Sequence, residues 1–468
     1  MPITLDQFFG TIESSLDHPL DNAQKDAIGH GTGPLWIIAG PGTGKTEVLV
    51  DRSLKLMCVD GVAPSSIIAT TFTEKAATSL QDRLYDHLAL LRQDHTPNLD
   101  SVDLSELHVG TLHGLCNDIM RTHRHVGYQN VRLLDEIEQS LFIYRTRSED
   151  LQGQNAIWAN LSYLVGRWNP GASYPPNRWQ ASRAAKTLLN RIVEDRLDLD
   201  MIRNSGGFWA DVADEYDAYM AALQHDHRCD FAHLQKHFLD FLESPRGRLF
   251  VEGDGTVLHP GISHVLVDEY QDTNPIQEEI YFRLADGQPH NLTVVGDDDQ
   301  ALYRFRGGTV ECMVEFGDRC RARWGNAGVE RVQLVDNHRS HPDIVQACNN
   351  YITSFASMRR VGARAPGKQL LEPGADVNGP YPAVGLISAQ RVRDLPPLLV
   401  ATVQGLVENG IVTDYSECVL LLRSARETAQ YAGPYVDALV RAGIPVYNPR
   451  SKAYAAREEV ATAMGTFL

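Results

Sequence analysis

The 468-residue chain is short of several things, and each shortage narrows what it can be. Its seven cysteines (Cys58, Cys116, Cys229, Cys312, Cys320, Cys348 and Cys418) are odd in number, scattered and without a CxxC pair. They read as free thiols in a reducing compartment rather than as a disulfide framework. No uninterrupted apolar stretch approaches the ~20 residues of a membrane helix. The N-terminus, MPITLDQFFG, lacks the basic start and apolar middle of a signal peptide. The expected location is therefore cytoplasmic, nucleoid-associated if the chain is bacterial, with no membrane partner. There is no internal repeat or low-complexity tract. Positive charge is short as well: 43 Lys and Arg against 60 Asp and Glu leave −17. That balance argues against coating nucleic acid by bulk electrostatics. A local basic groove is still compatible with it, because the field in a cleft depends on where charges sit.

What is present is enough for several cores. At about 150 residues per domain the length suggests roughly three folded units. Apolar residues make up 43% and charged residues 22%, the balance of a globular chain.

The clearest chemistry begins at residues 35–39, LWIIA, a short apolar run of the kind that forms a buried parallel strand. It runs into GPGTGKT at 40–46 and then into the helix-like EVLVDRSLKLM. Strand, Gly-rich loop and helix are the setting that a phosphate-binding loop requires. Gly42, Thr43 and Gly44 let backbone N–H groups curl around phosphates at a helix N-terminus. Lys45 supplies a point charge for the β- and γ-phosphates, and the Thr46 hydroxyl a ligand for Mg2+. The implied ligands are ATP and Mg2+.

Two further strands carry acids at their ends. HVLVDEYQD at 264–272 closes on Asp268 and Glu269. One strand tip can present Asp268 to the metal while Glu269 orients and deprotonates the attacking water. LTVVGDDDQ at 292–300 closes on three aspartates and Gln300. A neutral amide at that edge can sense a γ-phosphate without repelling it.

The ordered set of motifs resembles superfamily 1 helicases of the UvrD/Rep/PcrA type. The matching strings are LDNAQKDAI (20–28), AGPGTGKT (39–46), ATTFTEKAATSLQDRL (69–84), VGTLHGL (109–115), CDFAHL (229–234), VDEYQDTNPIQ (267–277), VGDDDQALYRFRGG (295–308) and QLVDNHRSHPDIV (333–345). The resemblance implies that Gln24 reads adenine and that His338 stacks on it in place of the usual tyrosine. It implies that Arg339 is an arginine finger reaching in from a second RecA-like domain, stabilising charge on the transferred phosphoryl group. For DNA it implies contacts from Thr71, Phe72, Thr111 and His113, with Tyr303 and Phe305 stacking on bases. Glu47 stands where relatives often carry an arginine.

The implied fold is α/β: a RecA-like P-loop NTPase sheet with an inserted helical domain and part of a second RecA-like domain. Residues 1–118 and 230–328 form the first RecA-like domain, 119–229 the insertion over the DNA, and 329–468 part of the second. The stretch 167–180 reads as a loop, 362–382 as an irregular connection and 417–424 as a strand, and with GIPVY (443–447) the last of these resembles the family's approach to its second insertion. The family's later motifs and its second helical insertion have no counterpart, so the chain is expected to be a piece of a longer protein. His225, His227, Cys229, His233 and His237 offer zinc-like spacing, but CDFAHL occupies a core position of the family, which favours a structural role. The function implied is an ATP-driven helicase or translocase moving 3′-to-5′ on single-stranded DNA or a 3′-tailed duplex, in repair, replication or recombination. The alternative is a DNA-activated ATPase switch or the partner of a nuclease or repair protein.

Overall fold

Leu35–Ala39 (β1) is buried at every position, as a strand covered on both faces must be. It is one of six parallel strands in the order β3-β2-β6-β7-β1-β8. The others are Ile67–Thr71 (β2), His108–Thr111 (β3), His264–Val267 (β6), Leu292–Gly296 (β7) and Glu330–Leu334 (β8). Between β3 and β6 in the chain lie Arg132–Leu134 (β4) and Arg228–Asp230 (β5), which form a separate two-stranded sheet among the described residues. The computed structural model describes residues 2–16, 18–95, 99–147, 178–256, 260–302, 308–325, 328–374 and 383–448.

The two-residue period of a strand sorts the sheet's side chains into two cores. Leu35, Ile37, Ile67, Ala69 and Leu266 join one apolar cluster with the helices on their side. Trp36, Ile38, Ile68, Val265 and Val267 join the other. The helix Glu74–His95 shows how the sequence supplies a cover: Ala77, Leu80, Leu84, Leu88 and Leu91 recur three or four residues apart and are its buried face. Helix starts are marked by side chains. Asp21 and Gln24 form a reciprocal capping box before Asn22–Gly29, and Asn274 and Gln277 do so before Pro275–Leu284.

Where described, residues 119–229, expected as an inserted helical domain, hold the helices Glu136–Thr146, Arg178–Glu194, Leu199–Asn204 and Phe208–His225 alongside β4 and the start of β5. Leu134, Ile143, Leu189, Ile192, Tyr216 and Tyr219 pack there into a third cluster. The β4–β5 pair brings its two ends together, with Leu134 opposite Asp230. At that junction the buried Asp230 carboxylate accepts from Tyr219 Oη (2.7 Å), Gln139 Nε2 (3.0 Å) and the His233 N–H (2.9 Å). His233 also turns its Nδ1 to Asp230 at 2.8 Å.

Two compact units result, 1–378 and 379–468. β8 lies past the expected boundary at 328/329, yet its hydrogen-bonded neighbour is β1, with Leu35 opposite Glu330 and Ala39 opposite Leu334. The boundary has to move because a parallel strand cannot leave the sheet that satisfies its backbone. In the second unit Leu395–Glu408 and Gly433–Arg441 are helices. The stretch 417–424, expected as a strand, is not in strand pairing, and Val419 and Leu421 are exposed. An apolar run supplies a strand's side chains but not the neighbour that its N–H and C=O groups need.

Candidate functional site

Because all six strands run the same way, their C-terminal ends share one edge of the sheet. From that edge emerge the loop after β1, Thr71 at the end of β2, Thr111 at the end of β3, Asp268 after β6, Asp297 after β7 and Asn337 after β8. Residues distant in the chain are therefore neighbours for topological reasons, as ligand sites of open parallel sheets are.

The loop after β1 has the backbone that phosphate binding requires. Gly42 (φ +75°) and Gly44 (φ +81°) are both left-handed, and Lys45–Cys58 starts directly after Gly44. The Thr43 hydroxyl donates to Gly40 O at 2.9 Å and closes the turn. Gln24 is buried beneath it: its Nε2 donates to Thr43 O (3.2 Å) while its Oε1 accepts from the Asp21 N–H (3.0 Å). The expected adenine reader is thus also a strut of the loop.

Across the edge, Lys45 Nζ meets Glu269 Oε2 at 3.1 Å, a contact joining residues 224 apart in sequence. Asp268 is buried, and the Thr46 side chain beside it favours its ionised form. Burial, followed by the neighbouring charge of Glu269, pushes the Asp268 carboxyl up to about 6, against the pull of Lys45, the Glu269 N–H and Thr46. A buried carboxylate short of positive charge, beside a hydroxyl and a Gly-rich loop, fits a divalent cation. Glu269 itself sits at φ +51°, a conformation rare for a residue with a Cβ, and its N–H donates to Asp268 Oδ1 at 2.9 Å.

Sequence reasoning passed over Gln271 and Asn337, which tie the edge together. Gln271 Nε2 donates to Glu269 Oε2 (2.6 Å), and its Oε1 accepts from the Asp297 N–H (3.0 Å). Gln300 Nε2 donates to Asp297 Oδ2 at 2.6 Å. Asn337 Nδ2 donates to Pro41 O (2.6 Å), and its Oδ1 accepts the N–H groups of Arg339 (3.0 Å) and Ser340 (2.7 Å). The His338 N–H donates to Gly42 O at 2.9 Å. The segment is so close that a Cβ on Gly42 would stand 2.9 Å from the Arg339 Cβ. Arg339, expected from a second domain, therefore follows β8 of the P-loop's own sheet. The His338 ring stacks on His18, with centroids 4.1 Å apart and planes 17° apart.

Of the expected DNA contacts, Thr71 and Thr111 face each other in register across β2 and β3. Thr111 donates its hydroxyl to Glu74 Oε1 (2.7 Å) and caps the helix Leu112–Thr122. His113 lies within 3.0 Å of Gln235 Nε2 and edge-on to Phe231; burial pulls its pKa down to about 4. Such a ring is neutral at pH 7. Phe72 is half-buried next to Thr71. Tyr303 and Phe305 lie outside the described residues.

A parallel sheet whose single edge joins a Gly-rich loop, a lysine, a buried aspartate and a neighbouring glutamate defines a RecA-like P-loop nucleoside triphosphatase. The chain belongs to the UvrD/REP helicase family, whose N-terminal domain matches residues 20–321. It is 29% identical over 374 residues to the ATP-dependent DNA helicase SRS2 of Saccharomyces cerevisiae, covering 77% of this chain and 29% of that one. It is 28% identical over 456 residues to DNA helicase II of Escherichia coli, covering 95% and 53%. With the ATP-dependent DNA helicase PcrA of Leuconostoc citreum it shares 27% over 457 residues, covering 96% and 52%. The chain thus spans about half or less of the length of these relatives.

Proposed function

We propose that the chain carries the nucleotide-hydrolysing site of an ATP-dependent DNA helicase or translocase that works 3′-to-5′ on single-stranded DNA or a 3′-tailed duplex. The observation that carries this reading is the meeting of Lys45 and Thr46 with Glu269 and Asp268 across one sheet edge. Gly42, Thr43, Gly44 and Lys45 would cradle the phosphates of ATP, with Gln24 and His338 at the base. Thr46 and Asp268 would hold Mg2+, which supplies charge neutralisation for the leaving and transferred phosphates. Glu269 takes the proton of the attacking water, Gln300 reports the γ-phosphate and Arg339 offsets its charge. The Lys45–Glu269 contact is a resting pair: Lys45 must turn to phosphate, which frees Glu269 to act as a base.

Thr71, Phe72, Thr111 and His113 form the proposed DNA contact on neighbouring strand ends, with Tyr303 and Phe305 as stacking residues. Residues 119–229 are the proposed cover over the strand, and the second unit part of a second RecA-like domain. The test is DNA-stimulated ATP hydrolysis by the full-length protein. Lys45→Ala abolishes it, and Glu269→Gln keeps nucleotide binding while stopping turnover. Wild-type turnover by Glu269→Gln would refute the assigned base. Displacement of a strand from a 3′-tailed duplex separates a helicase from an ATP-gated switch.

A further inference from the structure

Asp297, Asp298 and Asp299 follow one another at the end of β7, beside the proposed phosphate site, and all three are buried or nearly so. Three adjacent carboxylates in such a place repel one another and any anionic ligand, and are costly unless paired. Their counterions come from the stretch 364–368, where sequence reasoning saw only an irregular connection. Lys368 Nζ contacts one oxygen of each: Asp297, Asp298 at 2.7 Å and Asp299 at 2.8 Å. Its side chain is only 7% exposed. Arg364 forks onto Asp299 through Nε (2.8 Å) and Nη2 (2.9 Å), and the Ala365 N–H donates to Asp298 Oδ2 at 2.8 Å.

Asp297 is the node of this arrangement. One carboxylate oxygen takes the Lys368 ammonium and the other the Gln300 amide. Its backbone N–H donates to Gln271, whose own amide donates to Glu269. Contacts therefore run without a gap from Lys368 to Gln300 along one branch and to Glu269 and Lys45 along the other. Burial pulls the Lys368 pKa down, but the three carboxylates outweigh it and hold the pKa above its ordinary value, so the cation is retained.

We propose that Lys368, supported by Arg364, is a positioning residue of the ATP site: it fixes Asp297, and through Asp297 sets Gln300 and the Gln271–Glu269 pair in the geometry that hydrolysis needs. The inference rests on the roles given above to Gln300 and Glu269. Lys368 touches no reacting atom, so its loss should act on turnover rather than on nucleotide affinity.

The test measures steady-state ATP hydrolysis by the full-length protein with saturating single-stranded DNA. Lys368→Met should lower kcat about ten- to a hundredfold, the scale of a catalytic group displaced by about 1 Å, with the KM for ATP within about twofold. Lys368→Arg, which keeps the charge, should recover at least half of the lost rate on a logarithmic scale. Lys368→Met combined with Gln300→Ala should be no slower than the slower single variant, as for residues acting through one node. An unchanged kcat for Lys368→Met, a change in KM alone, or additive losses would overturn the proposal. Should Lys368→Met fail to fold by circular dichroism, Arg364→Gln carries the test, because it removes only the fork on Asp299 and leaves Lys368 in place. A fall in kcat of about threefold at constant KM supports the clamp, and an unchanged kcat overturns it. Gln300→Ala alone keeps the two layers apart. If it turns over like wild type, the sensor reading fails and the inference with it; if it is slow while Lys368→Met is fast, only the inference fails.

Discussion

Replacing Asp268 by asparagine should make the nucleotide-free protein more stable while removing its activity. In the folded chain burial and the adjacent Glu269 raise the Asp268 carboxyl from an ordinary 3.8 to about 6. In the unfolded chain it titrates normally. Ionising it at neutral pH therefore costs the folded state roughly 2–3 kcal/mol, at about 1.4 kcal/mol for each tenfold step in the ionisation constant. The sign follows from the raised pKa: the penalty is fully present above about pH 6 and vanishes below about pH 4, where both states are protonated. Asparagine keeps the shape and an oxygen for the Glu269 N–H but carries no charge. Urea unfolding of wild type and Asp268→Asn, each without nucleotide at pH 8 and at pH 4, measures the difference. The variant should be more stable by roughly 2–3 kcal/mol at pH 8, with the gap closing at pH 4. Adding Mg2+ and a non-hydrolysable ATP analogue at pH 8 should reverse the order, because the cation stabilises only the ionised aspartate. A variant less stable than wild type at pH 8, or a gap that does not change with pH, would refute the reasoning.

Three further outcomes follow from the geometry. Gly42→Ala should abolish nucleotide binding in a fluorescent-analogue titration while leaving the fold intact; the added Cβ sits at φ +75°, 2.8 Å from Asn337 Nδ2, and retained affinity would contradict the close approach. Asp230→Ala should destabilise the first unit by about 3–5 kcal/mol, since it leaves Tyr219, Gln139 and His233 facing a buried gap. Burial raises the Asp230 carboxyl, but His233 and Tyr219 outweigh it and hold it below 3.8. Its contribution should therefore be present above about pH 4 and fade as pH falls further, which denaturant titration at pH 7 and pH 3 would check. His113→Ala should weaken single-stranded DNA binding by the same factor at pH 6 and pH 8 in fluorescence anisotropy, because a ring with its pKa near 4 is neutral at both; a titration centred near 6.5 would contradict its burial.

Much of the nucleotide site was legible because its chemistry is local. A Gly-rich loop between an apolar run and a helix can be recognised from 35–58 alone, and acids at the ends of apolar runs mark Asp268 and Glu269. The two-faced burial of β1 and the stripe of Leu80, Leu84, Leu88 and Leu91 follow from periodicity in the same way. Other features had no local sign. Lys368 and Arg364 look like ordinary surface cations in an irregular stretch, and only the turn of the chain after Pro342–Ser354 lays them on the aspartates. Gln271 stood inside a recognised string, but its two-ended bridge depends on β6 and β7 being neighbours.

By itself the sequence determined which side chains this protein has available for phosphate, metal and water, because a strand, a tight loop and a helix start are decided by a few adjacent residues. The order of the six strands was decided only by tertiary structure, and with it the inclusion of β8 in the first sheet, the place of Arg339 beside Gly42 and the Lys368 clamp. The physical reason is that a parallel strand's backbone must find its partner across the fold, and no residue carries the identity of a neighbour 200 or more positions away. The same rule separates β8, whose ERVQL alternates and pairs with β1, from 417–424, whose apolar run is not strand-paired among the described residues.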